Sequence, residues 1–127
     1  MSTRGRGPAD RPARPDSRIR GVVVDTLDIE LAEAYRTHTR QIRQHRTVWV
    51  KLRSGGHLGH GEAFAYSVDE PLAELRAVRL EGESVWDAPR VLEEVRHTAA
   101  RAAIDLALLD LAGKILQLPI GRLLGLP

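Results

Sequence analysis

His57, His60 and Glu62 lie within six positions and carry groups that bind metals or move protons. On a strand His60 and Glu62 share one face. A metal site needs further ligands at a recognised spacing, and none follows, so the histidine in the turn is read as exposed. His38, His45 and His97 are scattered along the chain. Asp105 and Asp110 stand five apart, on different sides of a helix, and are unsuited to sharing a proton or a metal. Asp105 reads instead as a local ion partner of Arg101. The glycines at 55, 56, 59 and 61 miss the spacing of phosphate-binding loops. There is no serine nucleophile elbow and no cysteine, so the residues alone assemble no catalytic or metal site. One span remains: Tyr35, Arg36, Thr37, His38, Thr39 and Arg40 place hydrogen-bonding side chains together. Taken alone it reads as a solvated loop; against a ligand it would be a flap.

The chain has 127 residues and a formal net charge of +2, which suits one domain with a real core. Residues 1–18 are Arg, Pro, Gly and Asp with almost nothing apolar, a composition that predicts a disordered basic arm. Its arginines attract phosphates without specificity, but no aromatic residues are interleaved for base stacking. Nucleic acid is therefore disfavoured as a partner. No apolar run reaches signal or membrane-spanning length, which predicts a cytoplasmic domain with no membrane partner.

The central stretch is Thr98–Leu124. Ala99, Ala103, Ala107, Leu111 and Ile115 recur at helical spacing, with Ile104, Leu108 and Ala112 beside them. This predicts a helix from Ala99 to Leu116, capped by Thr98 and ended before Pro119. Asp110 and Lys114 form an i, i+4 pair. Ala102, Leu106 and Leu109 make the other face apolar too, so the helix requires cover on more than one side.

Upstream, the spacing predicts strands at Ile19–Leu31, Thr47–Arg53 and Leu58–Ala65, with a bulge or bend near Thr26–Leu27 and a loop over Ala32–Arg46. Gly59 and Gly61 point to a bulge or a close backbone approach. Helices are expected at Glu70–Leu80, at Asp87–Arg96 with Asp87 as cap, and at Ile120–Leu124. Strands followed by helices make the fold class α+β: a three-stranded antiparallel sheet, then a small helical bundle.

Two stretches carry a resemblance. Val48–Ala63 reads VWVKLRSGGHLGHGEA, and Ala100–Gly125 reads ARAAIDLALLDLAGKILQLPIGRLLG. Together they resemble the N-terminal capping domain of the mandelate racemase/muconate lactonizing enzyme family, in the enolase superfamily, over residues 19–125. Two features depart from the family pattern: His60 stands where Trp is frequent, and the closing motif is Leu123-Leu124-Gly125-Leu126.

The resemblance implies a cap that closes over a barrel. In the family that barrel holds a divalent metal, usually Mg2+, and the acid/base groups that abstract a proton α to a carboxylate. The parent activity would be a racemase, epimerase or cycloisomerase. The chain stops where the barrel would begin, so alone it is expected to be inactive and to need no cofactor. Its expected partner is the missing barrel or a second copy of itself, with a small carboxylate only when a barrel is present. The implied specificity loops are about Ala34–Gln41 and Phe64–Ser67, which gives Tyr35, Arg36, Thr37, His38, Arg40, Tyr66 and Ser67 as substrate-contact candidates. The alternative is a stand-alone binding or assembly module that uses the exposed apolar helix face.

Overall fold

The structure, a computed structural model, describes residues 16–127. Three strands, β1 (Gly21–Arg36), β2 (Gln41–Ser54) and β3 (His57–Phe64), form an antiparallel sheet in the order β1-β2-β3. Helix α1 (Asp69–Ala77), a 3-10 helix (Ala88–Glu94), the long helix α2 (Thr98–Leu116) and the short α3 (Ile120–Leu123) follow. The α+β expectation holds.

One sheet face is covered. Val48, Val50 and Leu52 alternate along β2 and are fully or almost fully buried in one cluster with Ile104, Leu108 and Leu111 of α2. The G-x-G spacing of β3 resolves as a close approach. A Cβ on Gly61 would sit 1.8 Å from the Ala103 carbonyl oxygen, and one on Gly59 would sit 2.3 Å from that of Ala107. Alanines at 103 and 107 and glycines at 59 and 61 thus let two backbones touch. The unpaired outer edge of β3 is tied down by the same helix. Asp110 accepts from the His60 backbone N–H (2.8 Å), while Lys114 donates to the Leu58 carbonyl and, at 2.8 Å, to Asp110. One donor and one acceptor of the edge strand are thereby satisfied.

The expected loop over Ala32–Arg46 is instead a hairpin arm. β1 continues to Arg36 and β2 begins at Gln41, leaving a tight turn at residues 37–40. The Thr37 N–H donates to the Arg40 carbonyl (2.7 Å), and the Arg40 N–H donates to Thr37 Oγ1 (3.0 Å). Apolar alternation reports burial, and a solvated ribbon held by ladder hydrogen bonds has none to report. The irregularity expected near Thr26–Leu27 lies farther out: pairing runs unbroken from Gly21 to Glu30, then shifts before Tyr35 pairs with Ile42.

The helix ends also differ. Thr98 is the first residue of α2, and His97 caps it, its Nδ1 accepting from the Ala99 N–H at 3.2 Å. Glu74 fixes this entrance by accepting from the N–H groups of Arg96 and His97, both at 2.9 Å. α1 stops at Ala77 because Val78 turns extended on the way to buried Leu80. Asp87 precedes the 3-10 helix without a side-chain capping bond and lies 3.8 Å from Arg90 instead. Among the described residues Arg101 and Asp105 form no ion pair; both are exposed. At the far end of α2, Gln117 adopts the left-handed conformation (φ 55°). The Leu118 N–H then returns to the Gly113 carbonyl at 2.9 Å, which closes the helix before Pro119.

The basic arm expected over residues 1–18 lies, up to residue 15, outside the described residues. Ser17 and Arg18 pair with the segment Gly82–Ser84, with Arg18 donating to the Gly82 carbonyl at 2.8 Å.

Candidate functional site

β3 leaves the sheet at Phe64, where its last ladder partner is Thr47, and the Ala65 N–H makes a final bond to the Arg46 carbonyl at 3.1 Å. β2 continues alone with β1 toward the hairpin tip. The corner opened by that divergence is a cleft of about 240 Å³, lined by residues of the 40–46 and 64–66 segments. Here two stretches distant in sequence meet.

Aromatic and cationic groups fill the corner. The Phe64 and Tyr66 rings meet edge to face, with centroids 4.8 Å apart. His45 lies against Phe64 at 4.7 Å. The Arg40 guanidinium stands 5.0 Å above the Tyr66 ring, a contact worth about 0.5–1 kcal/mol at an exposed site. Ile42 supplies a buried apolar wall. Arg46 pairs through Nε with Asp28 at 3.2 Å, whereas Arg40 and Arg43 have no carboxylate partner among the described residues. The site combines aromatic and apolar walls with two guanidinium groups that no carboxylate among the described residues neutralises.

Of the seven residues expected from the sequence, the structure brings Arg40 and Tyr66 together in this cleft. Thr37 holds the turn through its hydroxyl and backbone. Tyr35, Arg36, His38 and Ser67 are exposed nearby and do not line the cleft. Ile42, Arg43, His45, Arg46 and Phe64 were missed. Alternation through Phe64 and Tyr66 was the available signal, since residues two apart share a strand face; the rest were hidden by reading 32–46 as a loop.

The described residues offer no ligand set that fits the magnesium ion implied for a barrel. Among the described residues no three potential ligands converge. The Asp110 carboxylate, 3.8 Å from His60 Nδ1, is already engaged by Lys114 and the His60 N–H. Burial pushes the Asp110 pKa up, but the hydrogen bonds from Lys114 and the His60 backbone, with the charges of both side chains, outweigh it and hold the carboxyl below its ordinary value. Among the described residues no helix is long and apolar enough to cross a membrane.

Apolar side chains on α2 and in the segment after it are also exposed. Leu106 and Leu116 of α2 are 47% and 39% exposed, and Leu118, Ile120, Leu124 and Leu126 continue exposed apolar residues beyond it.

Residues 21–125 match the family described as "Mandelate racemase / muconate lactonizing enzyme, N-terminal domain". No protein of curated function matches the chain. Among solved structures, it is similar to a dipeptide epimerase from Methylococcus capsulatus complexed with Mg and the dipeptide L-Arg-D-Lys. That likeness is 31% identity and a TM-score of 0.77, over 85% of this chain and 35% of that one. A dipeptide epimerase from Enterococcus faecalis V583, complexed with Mg and L-Leu-L-Tyr, gives 25% identity and a TM-score of 0.78 over 84% and 34%. A muconate lactonizing enzyme from Pseudomonas fluorescens, complexed with muconolactone, shares the fold at 24% identity and a TM-score of 0.77, over 87% and 34%. The chain spans about a third of the length of these structures.

Proposed function

Because the chain belongs to the mandelate racemase/muconate lactonizing enzyme family, matching its N-terminal domain, we propose that it acts as a substrate-specificity cap. The catalytic partner is a metal-dependent barrel that abstracts a proton α to a carboxylate. The observation that carries this reading is the convergence of the hairpin tip and the 64–66 segment on one cleft. The cap's part is to bind and orient the far end of the substrate and to exclude water from the reacting end. The exposed leucines from Leu106 to Leu126 form the surface that meets the barrel. In this reading the metal and the acid/base groups belong to the barrel, and the chain alone is inactive.

The test is α-proton exchange of dipeptides in D2O, followed by NMR with magnesium present. The chain alone should show none. Fused in place of the N-terminal third of the Methylococcus capsulatus epimerase, it should restore exchange. Exchange by the chain alone, or none by a folded, magnesium-binding fusion, would overturn the proposal. The same exposed leucines support a second reading, a self-associating module. A concentration-dependent dimer on size-exclusion chromatography that persists in the fusion would favour it.

A further inference from the structure

We propose that the open face of the sheet joins two copies of this chain in a symmetric dimer, sheet stacked on sheet. Side chains alternate across a strand, so the residues paired with Trp49 and Lys51 of β2 share one face with them. Asp25 and Glu62 flank Trp49, and one row along the strands Val23 and His60 flank Lys51. α2 packs on the opposite face. On this one Val23, Leu27, Ile29 and Leu58 are 47%, 45%, 42% and 40% exposed, an apolar patch that calls for a partner. The charges select that partner. The Trp49 row carries two carboxylates and the Lys51 row an ammonium, and none of Asp25, Glu62 and Lys51 has an oppositely charged partner among the described residues. The Asp25 side chain accepts the N–H of its own neighbour, Thr26, at 2.8 Å. A two-fold axis crossing the strands between these two rows lays each acidic row over the basic row of the other copy. Lys51 then lies over the Trp49 ring of the other copy, between Asp25 and Glu62, where a cation–π contact and two carboxylates serve one ammonium. In the same register Leu58 faces Phe64. An axis along the strands would instead set Asp25 against Glu62 and Lys51 against Lys51, so the charges favour one arrangement. It is the aligned packing that sheets about 10 Å apart adopt, and every contact occurs twice because the interface is isologous. The inference does not rest on the cap reading: Leu106 and Leu116 belong to α2, on the other side of the sheet, so a barrel there and a second copy here use different surfaces.

The test is sedimentation velocity of the chain over a wide range of concentration, which should show a monomer–dimer equilibrium. The variants K51E and D25K/E62K each place like charges across the interface and should raise the dimer dissociation constant at least about tenfold. Mixed in equal amounts, they should form a heterodimer at least as tight as the parent dimer, since one copy is then acidic where the other is basic. L106Q/L116Q should leave the parent dimer unchanged. NMR of the parent supplies a reading that needs no variant. On dilution the Trp49 indole N–H signal should move, and that of Trp86, exposed on the segment before the 3-10 helix, should stay. A parent that remains monomeric, undiminished dimerisation in either charge variant, no heterodimer on mixing, or a stationary Trp49 signal would overturn the proposal. Loss of the dimer in L106Q/L116Q would overturn it as well, by assigning the association to the leucines of α2.

Discussion

The seam between α2 and β3 and the outer hairpin arm share one sheet's strands and are built on opposite terms. At the seam, small residues bring backbones together: a Cβ on Gly59 or Gly61 would overlap the carbonyls of α2. In the arm, from about Leu27 to Gln41, most residues are exposed, and the ladder with β2 and the Thr37 turn carry the shape. The seam admits little change in volume. The arm leaves side chains free to vary without touching the core, which is what a specificity element requires.

Substitutions sharpen this contrast. The largest effect is expected from Gly61→Val, whose side chain has no room against Ala103. It should cost at least about 3 kcal/mol in urea denaturation or prevent folding. Gly56→Ala, with nothing within 4 Å of the new Cβ, should stay within about 0.5 kcal/mol. A Gly61→Val protein of full stability would break the account of the seam.

Next in size is Asp110→Asn, expected to cost about 1–2 kcal/mol near neutral pH. Asp110 has a lowered pKa in the folded chain. Its contribution is therefore present above the ordinary carboxylate pKa and lost as pH falls through the lower folded value. Denaturation from pH 7 to pH 2 should show a smaller loss of stability on acidification in Asp110→Asn than in the parent. An unchanged slope would remove Asp110 from the seam's electrostatics.

In the arm, Thr37→Ala removes a turn hydroxyl and should cost about 0.5–1 kcal/mol. Faster amide exchange should be confined to the hairpin tip, and exchange spreading to β3 would contradict the separation of the two regions. The smallest effect belongs to Asp28→Asn, whose pair with Arg46 is half exposed on both sides. Thermal melts should detect less than about 1 kcal/mol.

The two regions also differed in how far they could be read from residue order. The α2 stripe, the glycine pair of β3 and the Asp110–Lys114 pairing were legible because burial leaves periodicity and small residues as traces. What the pair bonds to was not legible: the Leu58 carbonyl and the His60 N–H are 50 or more positions away in the chain. The arm left no such trace, since solvated strands need no apolar alternation, and a stretch of polar residues passed for a loop. The cleft was half legible. Arg40 and Tyr66 were named from their segments, but Phe64, His45 and Arg43 joined them only once β2 was known to extend to Gln41. His97 as helix cap was likewise hidden, because Glu74, 23 positions upstream, helps set where α2 begins.

The most direct test of the cap account is amide hydrogen exchange of this chain, free and within the barrel fusion. The account predicts new protection at the hairpin tip, at Phe64–Ser67 and along Leu106–Leu126, with the α2–β3 seam equally protected in both. Protection gained instead on the open sheet face that carries Val23, Leu27, Ile29 and Leu58, with the tip and the 64–67 segment unchanged, would contradict it.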